Sequence, residues 1–172
     1  LLVQHGADLN YINKNGECAL SWACSNGKHL LIAFLLQLGA ACHLKVPFAL
    51  SPLACAVRSE HAPSIRAVLK AKDLQIDEED SAGDTALLIA ISIGSESLVQ
   101  IILEGGSNPN YENSHETTPI ISASGKGHLD ILDLLVQYGA NLNYETKSGH
   151  TALSQTCEMG NLAMLKELLK KG

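Results

Sequence analysis

The sequence predicts an all-α fold, a solenoid in which short helix-turn-helix repeats stack on one another. One observation is an internal repeat, because five segments align in one frame: "GECALSWACSNG" (16–27), "ALSPLACAVRSE" (49–60), "GDTALLIAISIG" (83–94), "ETTPIISASGKG" (116–127) and "GHTALSQTCEMG" (149–160). The other is composition, with 46% apolar but only 4% aromatic residues. A core of Leu, Ile and Ala suits closely stacked helices. Repeats that recur about every 33 residues, as these do, are typical of solenoids.

The length of the repeat follows from two independent sets of markers. A hydroxyl or thiol side chain recurs at Cys18, Ser51, Thr85, Thr118 and Thr151, and the intervals are 33, 34, 33 and 33. A second set recurs at Gly6, Gly39, Lys72, Gly106, Gly139 and Gly172, and its intervals are 33, 33, 34, 33 and 33. Both sets place the one extra residue between Lys72 and Thr85, so the frame is consistent along the chain.

The first helix of each repeat has start and stop signals. Ser51, Thr85, Thr118 and Thr151 stand where a hydroxyl can accept a hydrogen bond from a free backbone N–H group. Pro52 and Pro119 follow at the first helical position, which lacks an N–H partner in any case. Glycines 27, 94, 127 and 160 then break the chain, since glycine readily adopts the positive φ that ends a helix.

The second helix of each repeat is apolar and short. Its five copies are "LLIAFLLQLG", "PSIRAVLKAK", "ESLVQIILEGG", "LDILDLLVQYG" and "LAMLKELLKKG". Helices of two to three turns are marginal in water, so the repeats must stack to be stable. The alanines at one position of the first helices allow close approach: Ala23, Ala56, Ala90 and Ala123.

Composition and charge exclude several function classes. The net charge of −6 gives no support to binding of a phosphate backbone, so nucleic acid is not expected as a partner. No apolar run reaches the roughly 18 residues that span a bilayer, so no membrane insertion is expected. Five cysteines, an odd number without a disulfide-like spacing, suit a reducing compartment. We therefore expect a cytoplasmic or nuclear location.

The sequence resembles the ankyrin-repeat family, whose pattern is close to G-x-T-P-L-H-x-A-A-x-x-G-H-x-x-I-V-x-x-L-L-x-x-G-A-x-x-N. The segments "GDTALLIAISIGSESLVQIILEGGSNPN" and "TTPIISASGKGHLDILDLLVQYGANLNYET" carry the resemblance most clearly. It implies one domain over 1–172, made of a partial repeat, Leu1–Ile12, and five full ones: Asn13–Lys45, Val46–Glu79, Asp80–Glu112, Asn113–Glu145 and Thr146–Gly172. The second repeat departs most, because Ala49, Glu60 and Lys72 replace expected glycines.

The resemblance implies β-hairpin-like fingers between repeats and a concave surface formed by the fingers and the ends of the first helices. Such a surface binds a peptide or a partner protein without catalysis. The finger of the second repeat is apolar, and Phe48 and Leu50 either anchor a partner or fold over a gap left by the missing glycine. The candidate contact residues are Phe48, Leu50, Arg58, Asp80, Asp84, Ile93, His115, Lys126, His150, Met159 and Trp22.

Three of these candidates have alternative interpretations. Trp22 lies in a row with Cys55, Ile89, Ser122 and Gln155 inside the first helices, which favours core packing over partner contact. Asp80 and Asp84 belong to an acidic cluster with Asp73, Asp77, Glu78 and Glu79. A charge run is usually a solvated loop. Beside an apolar finger it also suits a partner that carries basic residues and an apolar anchor.

Cysteine and histidine provide no catalytic or metal site. Cys18, Cys24, Cys55 and Cys157 stand at small packing positions, and Cys42 and His43 lack the paired ligand spacing of a zinc site. His128 follows Gly127, where ankyrin repeats commonly carry a structural histidine, and His61 corresponds to it. No nucleophile, base and acid group together, so neither an enzyme nor a cofactor is expected.

Three alternatives remain for the function of the whole protein. The repeats can be a scaffold segment of a larger enzyme or channel, or a structural spacer. They can also be substrates of an asparaginyl hydroxylase, since "LLVQHGADLN" and "LVQYGANLN" resemble its targets at Asn10 and Asn143. The simpler interpretation is that these asparagines form turn hydrogen bonds.

Overall fold

The computed structural model describes residues 5–43 and 51–172, and these residues form ten α-helices and no β-strand. The helices are α1 (Ala19–Ser25), α2 (His29–Gln37), α3 (Pro52–Arg58), α4 (Ala62–Val68), α5 (Ala86–Ile93), α6 (Glu96–Glu104), α7 (Pro119–Lys126), α8 (Leu129–Gln137), α9 (Ala152–Glu158) and α10 (Leu162–Lys171). The predicted all-α class and the two helices in each full repeat are confirmed.

The chain divides into two compact units, Leu1–Ala82 and Gly83–Gly172. In the first unit, α1 packs on α2 and α3, and α4 packs on α2 and α3. In the second unit, first helices pack on first helices (α5 on α7, α7 on α9), and α6 packs on α8. Each unit therefore has the ladder of stacked helix pairs that a solenoid requires. The prediction of one domain over 1–172 stays a prediction.

The predicted start signals of the first helices are confirmed. The side chains of Ser51, Thr85, Thr118 and Thr151 each accept a hydrogen bond from the backbone N–H three residues later. In the first repeat the Cys18 thiol takes this role for the N–H of Ser21, at 3.4 Å. Each cap satisfies one of the N–H groups that a helix start leaves free.

The turn after the first helix keeps one backbone shape in all five repeats. Glycines 27, 94, 127 and 160 have positive φ angles between +63° and +79°, and Glu60 has φ +53° at the same position. The second repeat thus preserves the turn even though it lost the glycine. The turn after its second helix differs, because the described non-glycine residues with positive φ are Glu60 and Glu116 and do not include Lys72. Helix α4 also ends earlier in the repeat frame, at Val68, than α2 does.

Glu60→Gly is expected to raise the free energy of unfolding by about 1 kcal/mol, because the left-handed conformation costs a residue with a Cβ atom about 1–2 kcal/mol and the greater freedom of an unfolded glycine offsets part of the gain. Thermal and urea unfolding would measure it. Lys166→Gly, inside α10, is the matched control and should lower stability by about 1 kcal/mol. A loss of stability in Glu60→Gly would contradict the interpretation that the backbone of Glu60 is strained.

The core of each repeat is apolar and closely packed. Ala23, Ala56, Ala90 and Ala123 are fully buried, as their role in close approach requires. The second helices bury the same face, with Leu35, Val68, Ile102 and Leu135 each at most 7% exposed. Burial of this apolar area, at about 25 cal/mol per Å², is what stabilises helices too short to stand alone.

The fingers are tight turns closed by backbone hydrogen bonds. The N–H groups of Asn13, Asn113 and Thr146 donate to the carbonyl four residues later, at 2.9–3.1 Å. The Asn113 side chain adds bonds on both sides of its finger: its Oδ1 accepts from the N–H of Thr117 at 2.8 Å, and its Nδ2 donates to the carbonyl of Gly83 at 2.7 Å. Buried Asn113 therefore links its finger to Gly83 within the second unit.

Candidate functional site

A pocket of about 330 Å³ opens in the first unit beside the finger at Asp80–Ala82. Ser25 of α1, Cys55 and Arg58 of α3 and Ser59 after it line one side, and the finger lines the other. The pocket lies between the end of a first helix and a finger, where the predicted binding surface was placed.

Arg58 and Asp80, two of the predicted contact residues, meet in this pocket. The Arg58 Nη2 lies 2.6 Å from Asp80 Oδ2, and the Asp80 side chain is only 6% exposed. Asp80 Oδ1 also accepts from the N–H of Ala82 at 2.8 Å. The Arg58 side chain is half exposed, and its guanidinium is held by the finger while its other N–H groups remain available to a ligand.

Serine hydroxyls complete the polar lining. Ser25 Oγ donates to the carbonyl of Ser21 at 3.1 Å, and Ser59 Oγ donates to the carbonyl of Ala56 at 2.8 Å. Each hydroxyl donates its one O–H group to a backbone carbonyl and keeps lone pairs that can accept hydrogen bonds from a ligand. The pocket thus offers guanidinium donors next to hydroxyl acceptors, a combination that suits the C=O and N–H groups of a peptide backbone.

The acidic cluster is engaged in closing loops. Asp73 Oδ2 accepts from the N–H of Cys42 at 2.9 Å, and Glu78 Oε1 lies 2.7 Å from His43 Nδ1. Asp80 is held by Arg58, and the remaining carboxylates of the cluster also have partners: Asp77, Glu79 and Asp84. The expectation of a partner that carries basic residues stays a prediction.

Three predicted contact residues of the second unit share one position in the repeat frame. Ile93 ends α5, Lys126 ends α7 and Met159 follows α9. All three are exposed, Ile93 by 37% and Met159 by 58%. Since α7 packs on both α5 and α9, the three side chains form a row of apolar, basic and apolar character along the ends of the first helices.

The two finger histidines are placed differently. His115 lies against Gly83, where an added Cβ would sit 2.5 Å from the imidazole ring. His150 is exposed, and its Nδ1 lies 2.8 Å from Ser148 Oγ in the same finger. His115 therefore packs against Gly83 within the second unit, whereas His150 remains accessible.

A family model described as "Ankyrin repeats (3 copies)" matches residues 30–113 and, in a second overlapping match, residues 87–172. The chain belongs to the ankyrin-repeat family. Ankyrin repeats generally mediate protein–protein interactions, and ankyrin-repeat domains are typically non-catalytic. The resemblance inferred from the sequence is thereby confirmed.

The chain matches only a small part of three much larger curated proteins. The chain is 28% identical over 121 residues to the potassium channel AKT2/3 of Arabidopsis thaliana, which covers 70% of the chain and 15% of the channel. It is 26% identical over 112 residues to human transient receptor potential cation channel subfamily A member 1, covering 65% of the chain and 10% of the relative. It is 35% identical over 110 residues to the ankyrin repeat and KH domain-containing protein mask of Drosophila melanogaster, covering 63% of the chain and 3% of the relative.

The prediction that Trp22 packs in the core is wrong, because its side chain is 51% exposed. In later ankyrin repeats the residues equivalent to Trp22 face the preceding first helix: Gln155 lies against Gly125 of α7, and Cys55 lines a pocket together with Ser25 of α1. Within the described residues no first helix lies on that side of α1. Trp22 instead lines a shallow pocket of about 310 Å³ with Tyr11, itself 68% exposed, so Trp22 remains a candidate for partner contact.

The apolar finger of the second ankyrin repeat, with Phe48 and Leu50, lies outside the described residues. Its two alternatives, a partner anchor or a cover over a gap, stay predictions.

Most thiols of these ankyrin repeats are buried and protonated. Burial raises the pKa of Cys42 to about 12, and burial likewise raises the pKa values of Cys24 and Cys55. The packing role is confirmed for Cys18, Cys24 and Cys55, but it is wrong for Cys157, which is exposed. No group of three or more potential metal ligands occurs among residues 5–43 and 51–172. None of the helices in this part of the chain has the length and apolarity needed to span a bilayer.

His61 and His128, which follow the turn after the first helix of their repeats, have structural roles. His61 Nδ1 accepts from the N–H of Ser64 and so caps α4, and its ring stacks on His29 with centroids 5.4 Å apart. His128 lies over Gly94, where an added Cβ would come within 2.9 Å of the imidazole. Both positions match the structural histidine that the family resemblance implies.

The backbone N–H groups of both candidate hydroxylation sites form turn hydrogen bonds, and the Asn10 side chain bonds the next repeat. Asn10 Oδ1 accepts from the N–H of Ala41 at 2.9 Å, and the N–H of Asn143 donates to Asn141 Oδ1 at 3.0 Å. The sequence analysis missed Asn110 at the equivalent position, whose side chain bonds both the N–H of Asn141 and the carbonyl of Gly139. Its place one repeat before Asn143 was the available signal. Modification of Asn10 or Asn143 stays a prediction.

Proposed function

We propose that the chain is a non-catalytic protein-binding module whose contact surface in the first unit is the pocket between α3 and the Asp80–Ala82 finger. The observation that carries the proposal is the Arg58 guanidinium, half exposed and held at 2.6 Å by a buried carboxylate. A positioned guanidinium loses little freedom on binding a carbonyl or carboxylate, which favours recognition of a peptide.

The chemistry of the pocket defines the partner segment. The small side chains of Ala54, Cys55 and Ala82 leave room for a narrow segment, and the serine hydroxyls accept from its N–H groups. Because Asp80 is already paired with Arg58, the pocket favours neutral or acidic groups near the guanidinium. An extended peptide, bound through its backbone and one acceptor group, fits these features better than a basic one.

In the second unit, the proposed contact surface is the row of Ile93, Lys126 and Met159. Exposed apolar side chains beside one positive charge suit a partner with an apolar anchor and an acidic neighbour. His150 and Trp22 are further proposed contact residues, in the second and first units respectively.

Affinity capture from cell lysate tests the first-unit surface. Wild type, Arg58→Ala and Ser81→Tyr would be compared, where Ser81→Tyr fills the pocket from the exposed fingertip and keeps the ion pair. We expect both variants to lose a common set of partners, with roughly tenfold weaker binding for a directly measured one, because a hydrogen bond to a charged group contributes about 1.5–3 kcal/mol.

Lys166→Ala, an exposed lysine of α10, is the control and should recover every partner. Thermal unfolding of each variant separates loss of binding from loss of fold. Equal recovery of all proteins by wild type, Arg58→Ala and Ser81→Tyr would refute the proposed surface.

A second candidate function follows from the relatives. Two of them are named as ion channels, and the chain matches 15% and 10% of their lengths. We therefore also propose that these repeats form a segment of a larger channel subunit. Immunoblotting of the native protein in membrane and soluble fractions tests this, since a protein of the size of the chain in the soluble fraction would oppose it.

A further inference from the structure

A second concave surface of the first unit lies on its second helices. It is a groove of about 780 Å³ between α2 and α4 and the turns that follow them. Its apolar lining comes mainly from Leu36, Ala40, Ala67 and Ala71, and it shares no residue with the pocket at Arg58. A volume of this size is in the range of ligand sites.

At one position of its second helix the second repeat has a small residue, Ala67, where every other full repeat has a larger one. In the repeat frame, Ala67 occupies the position of Phe34, Ile101, Leu134 and Glu167, and Ala71 that of Leu38, Gly105, Tyr138 and Lys171. Ile101 and Leu134 are 6% and 8% exposed, so the third and fourth repeats fill this position with a buried side chain. In α4 the missing volume is left open.

The helix beside the groove is apolar on its outer face as well as its inner one. Helix α2 buries Ile32 and Leu35 but leaves Leu30 76% exposed and Phe34 55% exposed. Leu30 stands one turn before Ala33, which lines the groove, so both lie on the same side of the helix. The equivalents of Leu30 are Pro63, Ser97, Asp130 and Ala163, none of them a large apolar residue. Large apolar side chains exposed beside a groove mark interaction surfaces.

The rim of the groove is positively charged, although the chain has a net charge of −6. Lys70 and Lys72 stand on it, and neither forms an ion pair with another described residue. Asp73 also lines it, but its Oδ2 is occupied by the N–H of Cys42. Two free ammonium groups at an apolar groove are complementary to a segment that combines apolar and acidic residues.

We propose that the groove between α2 and α4 is a docking site for a peptide segment of a partner protein, which inserts one bulky apolar side chain between Ala67 and Ala71. Carboxylates next to that side chain pair with Lys70 and Lys72. This site is separate from the proposed surface at Arg58, so the chain can hold two segments at once.

The proposal can be tested with a phage-displayed library of random short peptides. The library is selected against the Arg58→Ala variant, so that peptides that depend on the Arg58 guanidinium are not enriched. We expect enriched peptides to combine Leu, Ile or Phe with neighbouring Asp or Glu. The dissociation constant of an enriched peptide, measured by fluorescence anisotropy, should rise tenfold or more in Ala67→Leu/Ala71→Tyr, which fills the groove with side chains found at these positions in the fourth repeat.

Charge reversal provides an independent arm. Lys70→Glu/Lys72→Glu should weaken the same peptide several-fold, and the loss should shrink at high salt, whereas Lys166→Glu should have no effect. Unchanged or higher thermal stability of the groove-filled variant shows that the fold is intact. Equal binding to the groove-filled variant, or failure to enrich any peptide, would overturn the proposal and leave the groove a packing defect only.

Discussion

Leu87→Ala is expected to lower the free energy of unfolding by about 2–5 kcal/mol, whereas Leu153→Ala should lower it by about 1 kcal/mol or less. The two leucines occupy the same position in "TALL" and "TALS" of the repeat frame. Leu87 is 1% exposed and Leu153 is 41% exposed. Removing a fully buried side chain loses its transfer free energy and leaves a cavity, while an exposed one loses much less of both.

Urea unfolding followed by circular dichroism would measure both changes, and calorimetry would show whether the transition stays cooperative, since repeat proteins can unfold in parts. Leu20 and Leu53 are also 1% exposed at this position, so Leu53→Ala should repeat the large loss in the first unit. Equal losses for Leu87→Ala and Leu153→Ala would show that the fifth repeat is covered in solution.

Ser124→Ala is expected to raise the free energy of unfolding by about 1–3 kcal/mol. The Ser124 side chain is fully buried, and its Oγ has no hydrogen-bond partner among the described residues. An unsatisfied buried hydroxyl costs about 1–3 kcal/mol, and alanine also has the higher helix propensity. The apolar residues at the same frame position, Val57 and Ile91, are fully buried too.

The matched control is Ser64→Ala in α4. Ser64 is equally buried, but its Oγ lies 2.8 Å from His61 Nδ1. Both substitutions gain the helix propensity of alanine, so their difference isolates the hydrogen bond, and Ser64→Ala should lower stability by about 1 kcal/mol. Comparable destabilisation by both would mean that Ser124 has a partner in solution, such as a bound water.

Local features of the fold could be predicted from the sequence because their causes lie within a few residues. The hydroxyl of Thr118 caps α7 through the N–H of Ile121, three residues later, and Gly127 ends that helix by its own φ angle. Neither interaction depends on a distant segment. The repeat frame then placed each helix pair in turn.

The candidate site was only partly predictable. Arg58 was named from the repeat frame and Asp80 from the acidic cluster, but their pairing was not predicted, because it depends on how the finger packs over the end of α3. The groove between α2 and α4 was missed altogether. Its signal, Ala67 in place of Phe, Ile or Leu, is visible in the alignment, but a small residue becomes a groove only when no neighbour fills the space.

The sequence by itself determined the all-α solenoid, its period and the beginnings and ends of its first helices, since capping and turn formation act between residues close in the chain. Only the tertiary structure decided which of the residues that share one position in the repeat frame have buried side chains. Trp22 and Cys55 share one position, as do Leu87 and Leu153, yet in each pair one side chain is buried and the other exposed. The reason is that burial depends on the neighbour that packs against a side chain, and no residue in the repeat itself encodes that neighbour.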